Sequence, residues 1–143
     1  MLLFLRNFWP GTLWWILVML LTLTPGNYFP QVSSFWNLFS PDKLIHLFIF
    51  GVLAYLLLSG SVKHFRDKGT RGIKTAPVLI TLFTGILTEL MQALLPIGRE
   101  ASIYDTIANF TGCFAGYYGF RILKNKNGWI GCWIKNIIKN ILS

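Results

Sequence analysis

The sequence predicts an all-α membrane protein, a four-transmembrane-helix bundle followed by a C-terminal amphipathic helix lying in the cytoplasmic interface. Three observations carry this reading. The chain is 54% hydrophobic and only 13% charged over 143 residues, whereas a soluble domain carries about 25% charged residues. Four apolar runs, at about 8–24, 41–60, 76–95 and 103–123, each reach or approach the ~20 residues that a helix needs to cross hydrocarbon. Lys and Arg are sorted between alternate loops, the bias that orients membrane proteins. The chain divides accordingly into a four-helix transmembrane domain, 1–123, and a tail, 124–143.

The first run, "FWPGTLWWILVMLLTL", follows Arg6. A cleaved leader is the alternative, but "TLTPGNYFP" behind it offers no clear small-x-small cleavage site. The second run opens on Ser40-Pro41, a good N-cap and first-turn pair. It places Asp42 and His46, four apart, on one face. The third run ends with Glu89 and Gln92, three apart. Glu89 precedes Leu95 by six residues, roughly 9 Å of depth at 1.5 Å per residue. The fourth run starts near Ser102, a candidate cap with Asp105 in the first turn. Asp105, Asn109, Gly112 and Gly116 then share a face, and Gly112-x-x-x-Gly116 is a small-residue pair that admits a close neighbouring helix. In the tail, Trp129, Trp133, Ile134, Ile137, Ile138 and Ile141 recur at helical spacing opposite Lys135, Asn136, Lys139 and Asn140, the pattern of an interfacial helix.

The charge of +8 separates by side. Eleven basic residues and Asp67 fall on one side, giving +10. Lys43 and Arg99 with Asp42, Glu89, Glu100 and Asp105 fall on the other, giving −2. Both termini are therefore expected in the cytoplasm. The basic balance is a topology signal with some attraction to anionic headgroups; nothing resembles a soluble basic module that reads nucleic acid. Cys113 and Cys132 lack metal-type or disulfide spacing and read as apolar fillers. His64 falls in the basic loop and is expected to be solvated. Nothing in the sequence fixes an oligomeric state.

On this topology three helices bring polar groups to the same outer half of the membrane. Glu89 needs a partner there, with Arg99, His46 or Lys43 as candidates, because charge inside a membrane is costly. Two helix N-termini add positive ends that favour anions. His46, Glu89 and Asp105 are the candidate catalytic groups; Asp42, Lys43, Gln92, Arg99, Ser102 and Asn109 are the candidate ligand-binding groups. A metal held by His46, Glu89 and Asp105 draws on one histidine and scattered acids, so no metal or other cofactor is expected. A polar network that only glues the bundle together is the plain alternative.

The segments "DKLIHLFIFGVLAYLL" and "GILTELMQALLPIGREASIYDTIANFTGCFAG" resemble the VanZ-like family of small bacterial membrane proteins over about 42–116. An Asp-Lys-x-x-His element falls on Asp42, Lys43 and His46. Glu-x-x-Gln falls on Glu89 and Gln92. Gly-Arg-x-x-Ser-x-x-Asp-x-x-x-Asn falls on Gly98, Arg99, Ser102, Asp105 and Asn109. The founding member of that family is linked to resistance to teicoplanin, so the resemblance implies an envelope protein of the bacterial cytoplasmic membrane.

Two readings remain open. One is a non-enzymatic protein that binds a lipid-linked cell-wall precursor, such as a polyprenyl-phosphate-linked intermediate, or a lipoglycopeptide antibiotic at the outer leaflet. The other is an intramembrane hydrolase or transferase acting on an anionic lipid headgroup. In it, Glu89 or Asp105 is base or nucleophile, His46 the general acid–base, and Arg99 with Lys43 the anion clamp. Whether the chain performs chemistry is left undecided by the residues. Transport is disfavoured, because no paired halves or polar path to both faces are visible.

Overall fold

The computed structural model describes residues 2–24, 41–65, 74–95 and 102–141, with side chains described as far as Lys124 in the last segment. These form α1 (Leu2–Thr22), α2 (Pro41–His64), α3 (Thr75–Leu94) and α4 (Ile103–Ile141), and there is no strand among the described residues. Asp42–His64 and Thr75–Leu94 are long and apolar enough to cross a membrane.

Burial runs opposite to that of a water-soluble bundle. In α3 the inward face is Pro77, Thr81, Thr84, Gly85, Thr88, Glu89 and Gln92. The same helix exposes Leu79, Ile80, Phe83, Ile86, Leu90 and Leu94. A helix in water buries its leucines and shows its threonines; here the polar and small residues pack inward, which suits hydrocarbon outside. The hydroxyls are satisfied within the helix. Thr81 donates to the Pro77 carbonyl at 2.9 Å, Thr84 to Ile80 at 2.8 Å and Thr88 to Gly85 at 2.9 Å, the usual escape of a buried Thr. The apolar core is small: Val18, Ile49, Phe50 and Leu53, flanked by Trp14, Trp15 and Leu57.

Helix directions follow from which residues meet. Trp14 Nε1 donates to the Ile49 carbonyl at 2.9 Å, and Gly11 lies against Leu57, so α1 and α2 are antiparallel. Trp15 Nε1 donates to Thr84 Oγ1 at 3.1 Å and Gln92 Nε2 to the Thr22 carbonyl at 2.8 Å, so α1 and α3 run the same way. Helices α2 and α4 are parallel and packed tightly, with His46 beside Asn109, Gly51 beside Gly112 and Tyr55 beside Phe120. A Cβ on Gly112 would strike the Leu47 carbonyl oxygen, and one on Gly116 the Gly51 carbonyl oxygen. The small-residue pair read in the sequence thus admits α2, backbone against backbone. That approach sets the N-termini of α2 and α4 side by side.

Three elements differ from the sequence reading. Helix α1 begins at Leu2 rather than near 8, and α2 continues to His64 rather than stopping near 60. Helical hydrogen bonding extends beyond an apolar run, since backbone groups remain best satisfied inside the helix. His64 is therefore not a solvated loop residue. It is half-buried at the end of α2 among aromatic rings, with centroids 5.5 Å from Phe4, 5.9 Å from Phe8 and 4.7 Å from Phe65. Helix α4 does not stop at 123. Its backbone runs 39 residues without a break, about 58 Å at 1.5 Å per residue, roughly twice a hydrocarbon core. The tail is helical; which way its side chains face lies outside the described residues.

Candidate functional site

The polar residues singled out in the sequence gather where α2 and α4 begin and α3 ends. Asp42 and Asp105 sit in the first turns of α2 and α4, where a carboxylate suits the positive helix end. One turn further on are His46 and Asn109, each only 1% exposed. Glu89, 7% exposed, reaches in from the last turns of α3.

These groups form a directed chain. Glu89 Oε2 accepts from the Ser102 backbone N–H at 3.1 Å. Glu89 Oε1 accepts from Asn109 Nδ2 at 3.4 Å. Asn109 Oδ1 lies 2.9 Å from His46 Nδ1. The direction follows from Glu89. Both of its oxygens accept, so the amide has its NH2 toward Glu89 and its oxygen toward His46. Nδ1 must then carry the proton, and in the neutral ring Nε2 holds the lone pair. Gly85 leaves the space for this: a Cβ there would lie 3.2 Å from Asn109 Cβ. The His46 ring also stacks on Phe50, centroids 6.4 Å apart at 16°, which limits its swing.

Close to the imidazole are the two aspartates. One ligand atom from each of Asp42, His46 and Asp105 lies within 4.8 Å of the others. The expected trio of His46, Glu89 and Asp105 is thus rearranged. Asp42 shares the corner with His46 and Asp105, and Glu89 stands behind them, connected through Asn109. Ser102 contributes its backbone: its N–H serves Glu89, and its carbonyl accepts from the Asp105 and Thr106 N–H groups at 3.0 and 3.1 Å. Gln92 faces α1 through its bond to Thr22, a tie between helices. Lys43 carries its ammonium 5.7 Å from the centroid of the Tyr104 ring, a cation–π distance. Arg99, with Gly98 and Glu100, lies outside the described residues.

Sequence reasoning missed the threonine stripe of α3, although its spacing of three and four residues was visible. It also missed the indole bonds of Trp14 and Trp15, whose partners are far away in the chain and leave no local signal. At the opposite end of the bundle a groove of about 670 Å³ is lined by Lys74, Tyr117, Phe120, Arg121 and Lys124. It is remote from His46 and belongs to the basic end.

A helical bundle with no strand among its described residues, apolar residues outward, polar residues inward and a buried carboxylate–amide–imidazole chain at one end defines a small all-α protein of membrane type. The chain belongs to the VanZ/LLP1 family, whose profile matches residues 1–124 and so takes in the whole described site. No curated protein and no solved structure matches it.

Proposed function

We propose that this protein engages the anionic headgroup of a lipid-linked envelope intermediate at the outer leaflet of the bacterial cytoplasmic membrane. The observation that supports this is the Glu89–Asn109–His46 chain, buried in the bundle and ending beside Asp42 and Asp105 where two helices begin. All four helices are read as spans, with both termini cytoplasmic and the end of α4 continuing past the inner surface. A headgroup arriving along the outer leaflet meets the N-termini of α2 and α4 and the cations Lys43 and Arg99. Lowered teicoplanin susceptibility is the physiological outcome that family membership suggests for a protein binding there.

A second reading has its own support. The fixed imidazole, Nδ1 tied and Nε2 basic, is what a general base needs, with Asn109 as orienter and Glu89 behind it. In that reading His46 takes a proton from water or an acceptor hydroxyl, and Asp105 or Asp42 is nucleophile or electrostatic support.

The experiment pairs function with stability. Asp105→Asn is expected to retain the melting temperature of the parent in detergent within a few degrees. It should lose teicoplanin tolerance in a sensitive host and binding of a labelled polyprenyl phosphate. A parallel fall of melting temperature and binding would make the cluster structural glue. Retained binding with lost tolerance would favour the enzymatic reading. The orientation has a separate check: in intact cells an impermeant thiol reagent should modify Glu100→Cys and spare Lys68→Cys, and the reverse pattern would put the site on the wrong side.

A further inference from the structure

We infer that Asp42, His46 and Asp105 hold a divalent metal ion, Zn2+ or Mn2+, and that this ion receives the anionic headgroup. The bridging role rests on the headgroup reading above; the metal site does not.

The geometry comes first. Metal–ligand bonds to imidazole nitrogen and carboxylate oxygen are about 2.0–2.2 Å, which puts ligand atoms of a tetrahedral site roughly 3.4 Å apart. The three donor atoms already lie within 4.8 Å of one another. Inward shifts of under about 1 Å each, within reach of Asp rotamers, close the set. Asp42 and His46 are four residues apart on α2, so their side chains stack on one helix face. Asp105 comes from the parallel helix at the same level, held there by the contacts of Gly112 and Gly116 with α2.

The histidine supplies a second, independent argument. Its Nδ1 is engaged by Asn109 Oδ1, and the Asn109 amide is oriented by Glu89. A ligating histidine commonly donates its other ring N–H to an oxygen acceptor, which fixes the tautomer and strengthens the donor nitrogen. Neither Asn109 nor Glu89 belongs to the ligating trio, yet together they prepare Nε2 as a lone-pair ligand.

Charge explains the use. An ionised carboxylate only accepts and so offers a phosphate oxygen no direct bond. A dication held between the two aspartates is a large local positive charge to which that oxygen can bind. Three protein ligands leave at least one position open for a phosphate oxygen. One nitrogen with two carboxylate oxygens suits Zn2+ or Mn2+ better than the all-oxygen preference of Mg2+ or Ca2+.

The test uses the full chain, purified in detergent and stripped with chelator. Mn2+ titration followed by electron paramagnetic resonance is expected to show one ion per chain with a 14N coupling, displaced by an equivalent of Zn2+. The coupling should vanish in His46→Gln, and Asp42→Asn and Asp105→Asn should each bind at least tenfold more weakly. Absence of the 14N coupling in the wild-type protein overturns the site whether or not the variants fold, as does Asp105→Asn binding within twofold of wild type. Farnesyl phosphate and inorganic phosphate are then added with and without chelator. Retention of farnesyl phosphate that is lost on chelation supports the bridge, and retention of both anions would place recognition in the phosphate alone. Retention unaffected by chelation overturns the bridge. A bound metal with no retention of either anion leaves the site standing and refutes the headgroup reading.

Discussion

Gly112→Leu is expected to abolish most of the folded yield of this protein, while Gly119→Ala leaves it unchanged. A Cβ on Gly112 falls against the Leu47 carbonyl oxygen, whereas one on Gly119 meets nothing within 4 Å. The obstacle at Gly112 is backbone, which has no rotamer to give, so α2 and α4 must separate. Overpacking a core with extra methylenes costs about 1–3 kcal/mol and sometimes more; four new carbons against a carbonyl belong at or beyond the top of that range. Against a typical total of about 5–15 kcal/mol, that is a large share of the stability. The consequence reaches the site, because the same contact holds His46 at 2.9 Å from Asn109. Gly112→Ala, if it folds, should lose headgroup binding before it loses helix content. The measurement is monodisperse yield and melting temperature of the glycine variants side by side. Equal values for Gly112→Leu and Gly119→Leu would show that the α2–α4 approach is not what holds the bundle.

The sequence showed the four helices, the face carrying Asp105, Asn109, Gly112 and Gly116, and the gathering of polar groups at one end, because spacing of three and four residues is enough to define a face. Spacing does not define the partner of that face. Asp42 was set beside His46 by their spacing of four on one helix, but Asp105 and Glu89 were equally available to join them on paper. The parallel packing of α2 on α4 put Asp105 in the corner, while the reach of Glu89 from α3 ended at Asn109. His64 shows the same limit in another form. Its neighbours in sequence are basic, so it reads as solvated, but its neighbours in space are Phe4 and Phe8 from the start of α1. The length of α4 escaped for a different reason. The change in composition near 124 marks where the apolar run ends, and a change of surroundings need not interrupt a helix whose backbone bonds are local. The threonines of α3 were passed over because they carry no charge, and a hydroxyl that can bond its own helix backbone can face lipid or protein alike.

Glu89→Gln is expected to fold nearly as well as the parent and yet to lose function, whereas Glu89→Ala should lose stability. Among the described residues the carboxylate accepts from two donors, the Ser102 backbone N–H and Asn109 Nδ2. Alanine leaves both without their acceptor, at about 1–3 kcal/mol for each group that stays buried and unsatisfied. Glutamine keeps one acceptor. The Ser102 N–H cannot turn, so the glutamine oxygen must face it, and the glutamine NH2 then faces Asn109. Asn109 answers by flipping its amide, which turns an NH2 toward His46 Nδ1 in place of an oxygen. Nδ1 becomes the acceptor, and the ring proton moves to Nε2. Each of these described groups remains bonded, so stability should stay within about 1 kcal/mol of the parent. Nε2 has lost its lone pair, and with it the capacity to act as base or to ligate a metal. The readout is the 15N spectrum of the His46 ring, with His64→Gln introduced to remove the second histidine, taken beside Mn2+ and polyprenyl phosphate binding. A Glu89→Gln protein with the parental tautomer and parental binding would show that His46 is not oriented through Asn109. An inverted tautomer with both bindings intact would show that the lone pair at Nε2 is not what this site uses.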